Sequence, residues 1–470
     1  MPRICVICNG EERTINASAG ARLSDVLIAN GIYVEHPCGG RGSCKKCEVL
    51  INGKTELSCL YTVEQEIVVR ISDAAEMRSV SGAEESGGRT ENTCLCLDIG
   101  STTLAMALVS LEEGKIVKVI TKTNPQCAFG ADVISRIEFA AKNGTEPLSS
   151  AVREAINGMI DEIERECGNA HFSKMYVSGN ATMLHLLLDV DCASMGVAPY
   201  TPCFTDAREV SGGSIGLERV DRISLLPSVS AFVGADIVAG MNQIGMPSEG
   251  KYALLIDLGT NAEVVLYGKE VAYATAAAAG PCFEGANIFC GMSAVPGAIS
   301  SFYRQGIYQV IGNTEPIGIC ATGLVDVVSY LLKSELVDQN GVLEDGEFRI
   351  ADRVTVTQED IRAFQLAKAA VSAAIQCLLA EAGITHEDVE AMYVAGGFSA
   401  GMDRANAAYV GLFPRALTDR FVAVNNTSLL GTVRYAVEGN DLTPYTENTT
   451  YVDLSSHPKF TELFLREMRF

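Results

Sequence analysis

Apolar and polar positions alternate in two styles along this chain. From Arg3 to Ile71 the apolar runs are short: Arg3–Val6, Lys46–Ile51 and Ile67–Ile71. Runs of that length, bounded by Gly, Asn and charged residues, predict strands. Ser24–Asn30 fits one short helix between them, so this part reads as a small α+β domain. From Thr93 onward, apolar strands alternate with long helical patterns. Ser149–Cys167 places Val152, Ile156, Met159, Ile160 and Ile163 at helical spacing, with Gly168 to end the helix. Thr357–Ala382 is longer, with Thr357 as N-cap, Asp360 three positions on and Gly383 closing it. Such alternation predicts an α/β architecture with parallel strands. Between the two styles, Ala75–Asn92 (AEMRSVSGAEESGGRTEN) has almost nothing to bury and reads as a flexible linker.

One pattern occurs twice. Thr93–Leu108 reads TCLCLDIGSTTLAMAL and Tyr252–Tyr267 reads YALLIDLGTNAEVVLY. Each is an apolar strand, then Asp-aliphatic-Gly-Ser/Thr, then a second apolar strand. Asp98 and Asp257 lie 159 positions apart, too far for a solenoid repeat, which predicts two similar lobes. A Gly-rich turn offers free backbone N–H groups to phosphate oxygens, and hydroxyls add donors. The candidates are Gly100, Ser101, Thr102 and Thr103 in the first copy, and Gly259, Thr260 and Asn261 in the second. An Asp ending each strand can orient a hydrated Mg²⁺. Ala391–Ser399 (AMYVAGGFS) is a further strand running into Gly396-Gly397, where a nucleoside can approach the backbone closely. No GxxxxGK[ST] or GxGxxG motif occurs, which excludes the common P-loop and Rossmann fingerprints.

Composition narrows the classes. At ~150 residues per domain, 470 residues predict about three domains. The net charge of −22 disfavours binding to nucleic acid or to an anionic membrane. Met1–Gly10 shows no secretory leader, and no run of ~18 uncharged apolar residues occurs, so a cytoplasmic location is expected. There are 16 Cys. In a reducing compartment, many cysteines argue for metal or inert burial rather than disulfides.

Four of them stand out. His36–Leu60 reads HPCGGRGSCKKCEVLINGKTELSCL, which spaces Cys38, Cys44, Cys47 and Cys59 as C-x5-C-x2-C-x11-C. Four thiolates can hold a [2Fe–2S] cluster. Gly39, Gly40 and Gly42 let the loop wrap tightly, and Asn52-Gly53 predicts a hairpin that returns Cys59 to it. A zinc site is the alternative, with Cys5-x2-Cys8 supplying a second pair to Cys44 and Cys47. Cys94 and Cys96 alternate with leucines in a strand and read as core, as does His185 in its apolar run.

The cysteine loop resembles the [2Fe–2S] ferredoxins, which implies a β-grasp fold for 1–75. The two phosphate turns and the Gly396-Gly397 strand together resemble the ASKHA superfamily of acetate and sugar kinases, heat-shock chaperone ATPases and actin. That resemblance implies ATP bound between two lobes, 92–250 and 251–470, behind a linker of 76–91. Val233–Met241 and Val424–Ala436 resemble its two connecting helices, and Asp236 is the nearest acidic residue to the first of them. Further segments (GNATMLHL at Gly179–Leu186, DLGTNAE at Asp257–Glu263, AAGPCFEGANI at Ala278–Ile288, ICATGLVDV at Ile319–Val327, DIRAFQLAKAA at Asp360–Ala370, HPKFTELFLREMRF at His457–Phe470) resemble the reductive activators of corrinoid-dependent enzymes. The resemblance implies an ATP-hydrolysing redox activator. It would reduce an inactive Co(II) corrinoid on a partner protein of a methyltransferase system to Co(I). Its cofactors would be [2Fe–2S], ATP and Mg²⁺. Its electrons would come from a low-potential donor such as a ferredoxin, with no nucleic-acid or membrane partner. Such an electron step is uphill, and a few hundred millivolts for one electron is several kcal/mol, within what a nucleotide-driven closure supplies. The short linker leaves the expectation that this chain lacks the family's middle domain. The alternatives are a small-molecule kinase of the same fold with a redox-sensing domain, an activator of a radical dehydratase, and a plain electron carrier.

Overall fold

The structure, a computed structural model, describes residues 2–8, 11–30, 32, 34, 47–71, 92–396 and 399–470. The first domain comprises β1 (Arg3–Cys8), β2 (Glu11–Asn16), α1 (Leu23–Ala29), β3 (Glu48–Ile51), β4 (Lys54–Leu57) and β5 (Ile67–Arg70). The sheet order is β2-β1-β5-β3-β4, and β1 pairs with β5 in parallel. Ile4, Val6, Leu23, Leu27, Val49, Ile51 and Val69 close a core of their own under α1. Asn52 (φ 51°) and Gly53 (φ 83°) are both left-handed, the geometry of a two-residue hairpin turn, and this turn joins β3 to β4. The expected linker, 76–91, lies outside the described residues.

The rest of the chain is built on two six-stranded sheets arranged alike, with smaller sheets of three and two strands beside them. The first contains β6 (Thr93–Ile99), β7 (Thr103–Ser110), β8 (Lys115–Thr123), β9 (Phe172–Gly179), β10 (Arg208–Ser211) and β11 (Val220–Leu225), in the order β8-β7-β6-β9-β11-β10. Helices α2 (Val133–Asn143), α3 (Glu146–Cys167) and α4 (Ala235–Ile244) belong to this unit. The second sheet contains β12 (Tyr252–Leu258), β13 (Ala262–Tyr267), β14 (Ala272–Ala277), β15 (Val389–Ala395), β16 (Phe421–Ala423) and β17 (Thr449–Tyr451), in the order β16-β15-β12-β13-β14-β17. With it come α5 (Gln358–Ala382), α6 (Arg404–Tyr409), α7 (Thr427–Glu438) and α8 (Phe460–Glu467).

In both sheets, three consecutive strands form an antiparallel meander, and the first strand of each then pairs in parallel with a later strand, β6 with β9 and β12 with β15. The sheets are therefore mixed, with the parallel strands that the alternation predicts set beside antiparallel hairpins. The turns at 100–102 and 259–261 are too short for a crossover connection, so each repeat must close as a hairpin. Helix α3 starts at Glu146, three residues before the periodicity shows it, because Pro147 is accommodated in its first turn. Helix α5 starts and stops as the sequence predicts, with Thr357 and Asp360 in a reciprocal capping box and Gly383 left-handed at its end. By length and composition α5 could cross a membrane, yet it is mostly buried as a core helix of the second unit.

One apolar core runs through the junction of the two units. It takes Leu95, Leu97 and Ile99 from β6, Val238 and Met241 from α4, and Leu255, Val265 and Tyr267 from the second sheet. The opposite face of that sheet, with Leu254, Ile256, Val264 and Leu266, packs against Phe364, Ala367, Val371 and Leu378 of α5. Helices α4 and α7 cross in backbone contact: a Cβ at Gly431 would stand 1.8 Å from the Ala239 carbonyl oxygen. Asn242 Nδ2 donates to the Gly431 carbonyl at 3.0 Å, and Arg434 donates to the Asn242 carbonyl at 2.9 Å.

Candidate functional site

Strand alternation sends the acidic residues to the junction. In β6, Leu95 and Leu97 face the main core, while Cys94 and Cys96 face Leu429 and Val433 of α7. Asp98 follows the cysteine face and so meets the start of α7. Ser428 Oγ donates to its Oδ1 at 2.7 Å and Asn426 Nδ2 to its Oδ2 at 2.9 Å. The Ser428 hydroxyl also lies 2.9 Å from that of Ser178 at the end of β9, tying three elements together. In β12, Asp257 shares the junction face with Leu255. Its direct cross-strand partner is Glu263 on β13, so both carboxylates stand on one face. Asp236 lies in the first turn of α4.

These residues sense one another. Burial pushes Asp236 up to about 7, helped by the charges of Asp98 and Asp257. Burial and Asp98 push Asp257 up to about 6. Glu263 is held well above the usual carboxylate range by burial, then by Asp257 and Asp236. Asp98 is raised by burial against the pull of its two hydrogen bonds. Among the described residues, no Lys or Arg forms an ion pair with any of the four. No three acidic, Cys or His side chains there converge closely enough to cage a bare metal ion. Carboxylates of both units around an uncompensated centre suit a cation that arrives with its own water and phosphate ligands.

A backbone bond from the glycine closes each phosphate turn: Gly100 N–H donates to Thr103 O, three residues on, at 3.0 Å, and Gly259 N–H to Asn261 O, two residues on, at 2.9 Å. Ser101, Thr102 and Thr103, with Thr260, stay half-buried and Asn261 is exposed. The first turn is braced from behind by residues the sequence reading passed over. Buried Asn124 donates to the Gly100 carbonyl at 2.8 Å and, through its backbone N–H, to Thr102 O at 2.8 Å. Fully buried Arg136 on α2 donates to the Ser101 carbonyl. An arginine on a helix face bound for the core was the available signal. Gly396 has φ 106°, and a Cβ on it would stand 2.7 Å from the Leu258 carbonyl oxygen. It therefore has to be glycine for β15 to reach the second phosphate turn. Gly397 lies outside the described residues.

In the first domain, Cys47 and Cys59 face each other with sulfurs 3.1 Å apart, both buried and neither in a disulfide. The β3–β4 hairpin brings them together, and Ser58 N–H donates to the Cys47 carbonyl at 2.9 Å. A tetrahedral metal with bonds of about 2.3 Å to sulfur needs sulfur–sulfur edges of ~3.8 Å, so a small opening admits one. Beside the pair, the buried hydroxyl of Ser58 has no hydrogen-bond partner. An orphaned donor next to two convergent thiols fits a cluster whose sulfurs accept it. Cys38 and Cys44 lie outside the described residues. Cys5 donates instead to Glu12 Oε1 at 3.1 Å. Cys94 and Cys96 are wholly buried core residues. His185 is buried between the Ala181 carbonyl at 2.7 Å and the Cys203 N–H at 3.0 Å, with Phe204 stacked on its ring.

Fold and site together define a class: a ferredoxin-like domain followed by a two-lobed ASKHA unit. The model of a 2Fe-2S iron-sulfur cluster binding domain matches residues 6–97, that of the RACo middle region 93–249, and that of the C-terminal ASKHA domain of RACo 251–470. The chain belongs to the RACo family. It is 27% identical over 583 aligned residues to the corrinoid activation enzyme RamQ of Eubacterium limosum, covering 98% of each chain. It is 27% identical over 372 residues to the [Co(II) methylated amine-specific corrinoid protein] reductase of Methanosarcina barkeri, covering 71% of this chain and 68% of that one. The solved structure of a reductive activator for a corrinoid, iron-sulfur protein shares the fold, with a TM-score of 0.71 at 24% identity over 100% of this chain and 98% of that one. The family's middle region is present, which corrects the expectation of a short member without it. The short linker misled because the middle region starts at Thr93 with the first phosphate-turn strand itself; the segment read as a first lobe is that region.

Proposed function

We propose that this chain is an ATP-dependent reductive activator that returns an inactive Co(II) corrinoid on a partner protein to Co(I). The carrying observation is the full-length similarity to a corrinoid activation enzyme, joined to a site in which carboxylates of both units converge. Cys38, Cys44, Cys47 and Cys59 would hold a [2Fe–2S] cluster, which when bound supplies one-electron transfer. Ser58 would offer its hydroxyl to it. Gly100–Thr103 and Gly259–Asn261 would cradle the phosphates of ATP. Asp98 and Asp257 would orient the water shell of Mg²⁺, with Asp236 placed to accept a proton from attacking water. Gly396 and Gly397 would pass along the nucleoside. The division into 1–75, 76–91, 92–250 and 251–470, a ferredoxin-type electron donor and a cytoplasmic setting belong to the same reading.

The charge logic favours coupling. Asp98 of one unit and Asp257 of the other would both face a bound cation and so favour approach of the two units, because neither carboxylate has an ion-pair partner among the described residues. Closure of that kind shifts populations by the ligand's differential affinity for the two states. The test is anaerobic: the protein is mixed with a Co(II) corrinoid protein, a low-potential reductant and Mg-ATP, and the Co(I) absorption band is followed. Reduction to the same extent without nucleotide would sink the coupling. Zinc without iron in the purified protein would sink the cluster.

A further inference from the structure

Helix α5 is apolar on most of its surface, but Gln365, Lys368, Ser372 and Gln376 form a polar stripe at steps of three and four residues. The stripe receives the chain's last turn. Gln365 Nε2 donates to the Met468 carbonyl at 2.7 Å, Lys368 Nζ to the Arg469 carbonyl, Ser372 Oγ to Glu467 at 3.1 Å and Gln376 Nε2 to Glu467 at 2.8 Å. Between this stripe, the residues after α8 and the turn after α6 lies a cavity of about 420 Å³. That size suits a small ligand.

Its charge is opposite to that of the chain. The side chains of Lys368, Arg415, Arg466 and Arg469 line it, against one acidic side chain, Glu467, in a protein of net charge −22. Glu467 is already matched: Arg466 pairs with it at 3.1 Å, and Ser372 and Gln376 occupy its oxygens. Among the described residues Lys368, Arg415 and Arg469 form no ion pair. Arg415 donates only to the Tyr409 carbonyl at 3.3 Å and lies 5.5 Å from the Tyr409 ring. Lys368 as a residue is 1% exposed; its ammonium donates to the Arg469 carbonyl, lies 5.0 Å from the Phe470 ring and feels the charge of Glu467. It carries three N–H donors, so donors remain for a ligand. Burying an ammonium is costly, and burial lowers Lys368 to about 8 although the nearby charge of Glu467 pulls it back up. Gly411 packs close beside this ammonium: a Cβ there would stand 3.2 Å from Nζ.

We propose that this cavity is an anion-binding site separate from the nucleotide site, taking a small molecule with two or more negative charges on phosphate or carboxylate groups. Lys368 is its buried anchor, Arg415 and Arg469 are its rim, and Tyr409, Phe413 and Phe470 wall the ligand's body. The inference stands independently of the corrinoid reading.

Calorimetry on the full chain tests it. The nucleotide site is first saturated with Mg²⁺ and a non-hydrolysable ATP analogue. Inorganic phosphate and malonate are then titrated in separate arms, against a sodium chloride control of equal ionic strength. One saturable site is expected in at least one arm, with affinity reduced tenfold or more in Arg415→Gln and in Lys368→Met. Arg415 stands at the rim, so Arg415→Gln reports even if Lys368→Met fails to fold. Binding in the phosphate arm alone assigns a phosphoryl ligand, in the malonate arm alone a carboxylate ligand, and in both a shared anion. No saturable binding beyond the chloride control, or binding unchanged in Arg415→Gln, overturns the proposal.

Discussion

At the residue scale, the junction carboxylates make a signed prediction. An Asp side chain in the unfolded chain titrates near 3.8, whereas Asp236 holds its proton up to about 7 and Asp257 up to about 6. Between those limits the folded protein binds more protons than the unfolded chain. The nucleotide-free protein should therefore lose stability as pH rises from about 4 to 7. Asp236→Asn, neutral throughout, should flatten that slope and raise the melting temperature at pH 7.5, with a gain of about 1–2 kcal/mol. A melting series across pH checks this, and an unchanged slope would reject the coupled cluster. Ser58 makes a second prediction. A hydroxyl donated to a cluster sulfur favours the reduced, more negative state. Ser58→Ala should thus lower the midpoint potential in a spectroelectrochemical titration, while the iron-free domain, relieved of a buried orphan, becomes about 1 kcal/mol more stable. Asp98, Asp236 and Asp257 were legible in the sequence because each ends a strand or opens a helix next to a recognisable turn. Glu263 was not, although it lies within the quoted DLGTNAE. Only the hairpin register shows that it stands opposite Asp257.

At the element scale, the crossing of α4 and α7 is the tightest contact between the two units. Gly431 has no room for a methyl group against Ala239. Gly431→Ala should force the helices apart and cost about 1–3 kcal/mol, seen as a lower melting temperature together with weaker Mg-ATP binding. Unchanged nucleotide affinity in a folded variant would show that the crossing does not transmit to the site. The sequence marked both helices within a few residues, α4 from Val233–Met241 and α7 from Val424–Ala436, against observed spans of Ala235–Ile244 and Thr427–Glu438. Their contact was not legible, since a glycine in a helix reads as a weak spot until the neighbouring backbone is in place. The bracing of the first phosphate turn by Asn124 and Arg136 was hidden for a related reason. Both act on carbonyls more than 20 positions away.

At the scale of the whole molecule, the first domain closes its own core, while one core runs through the junction of the two units that follow it. Thermal unfolding of the full chain should show two transitions, and stripping the iron should lower only one. Mg-ATP should raise the other, by about 2.7 kcal/mol when ligand stands at 100 times its Kd. Differential scanning calorimetry with and without chelator and nucleotide checks both, and a transition common to both treatments would merge the units. The sequence by itself determined what depends on local spacing. It marked four cysteines around an Asn-Gly hairpin, two Asp-aliphatic-Gly-Ser/Thr turns and the caps of α5, because capping, turn geometry and strand alternation act over a few residues. Tertiary structure alone decided what depends on which segments meet in space. It paired β6 with β9 and β12 with β15, set four carboxylates from two units around one centre, and faced three cations without ion-pair partners across one cavity. Electrostatic coupling follows distance in space, and sequence separation does not encode it.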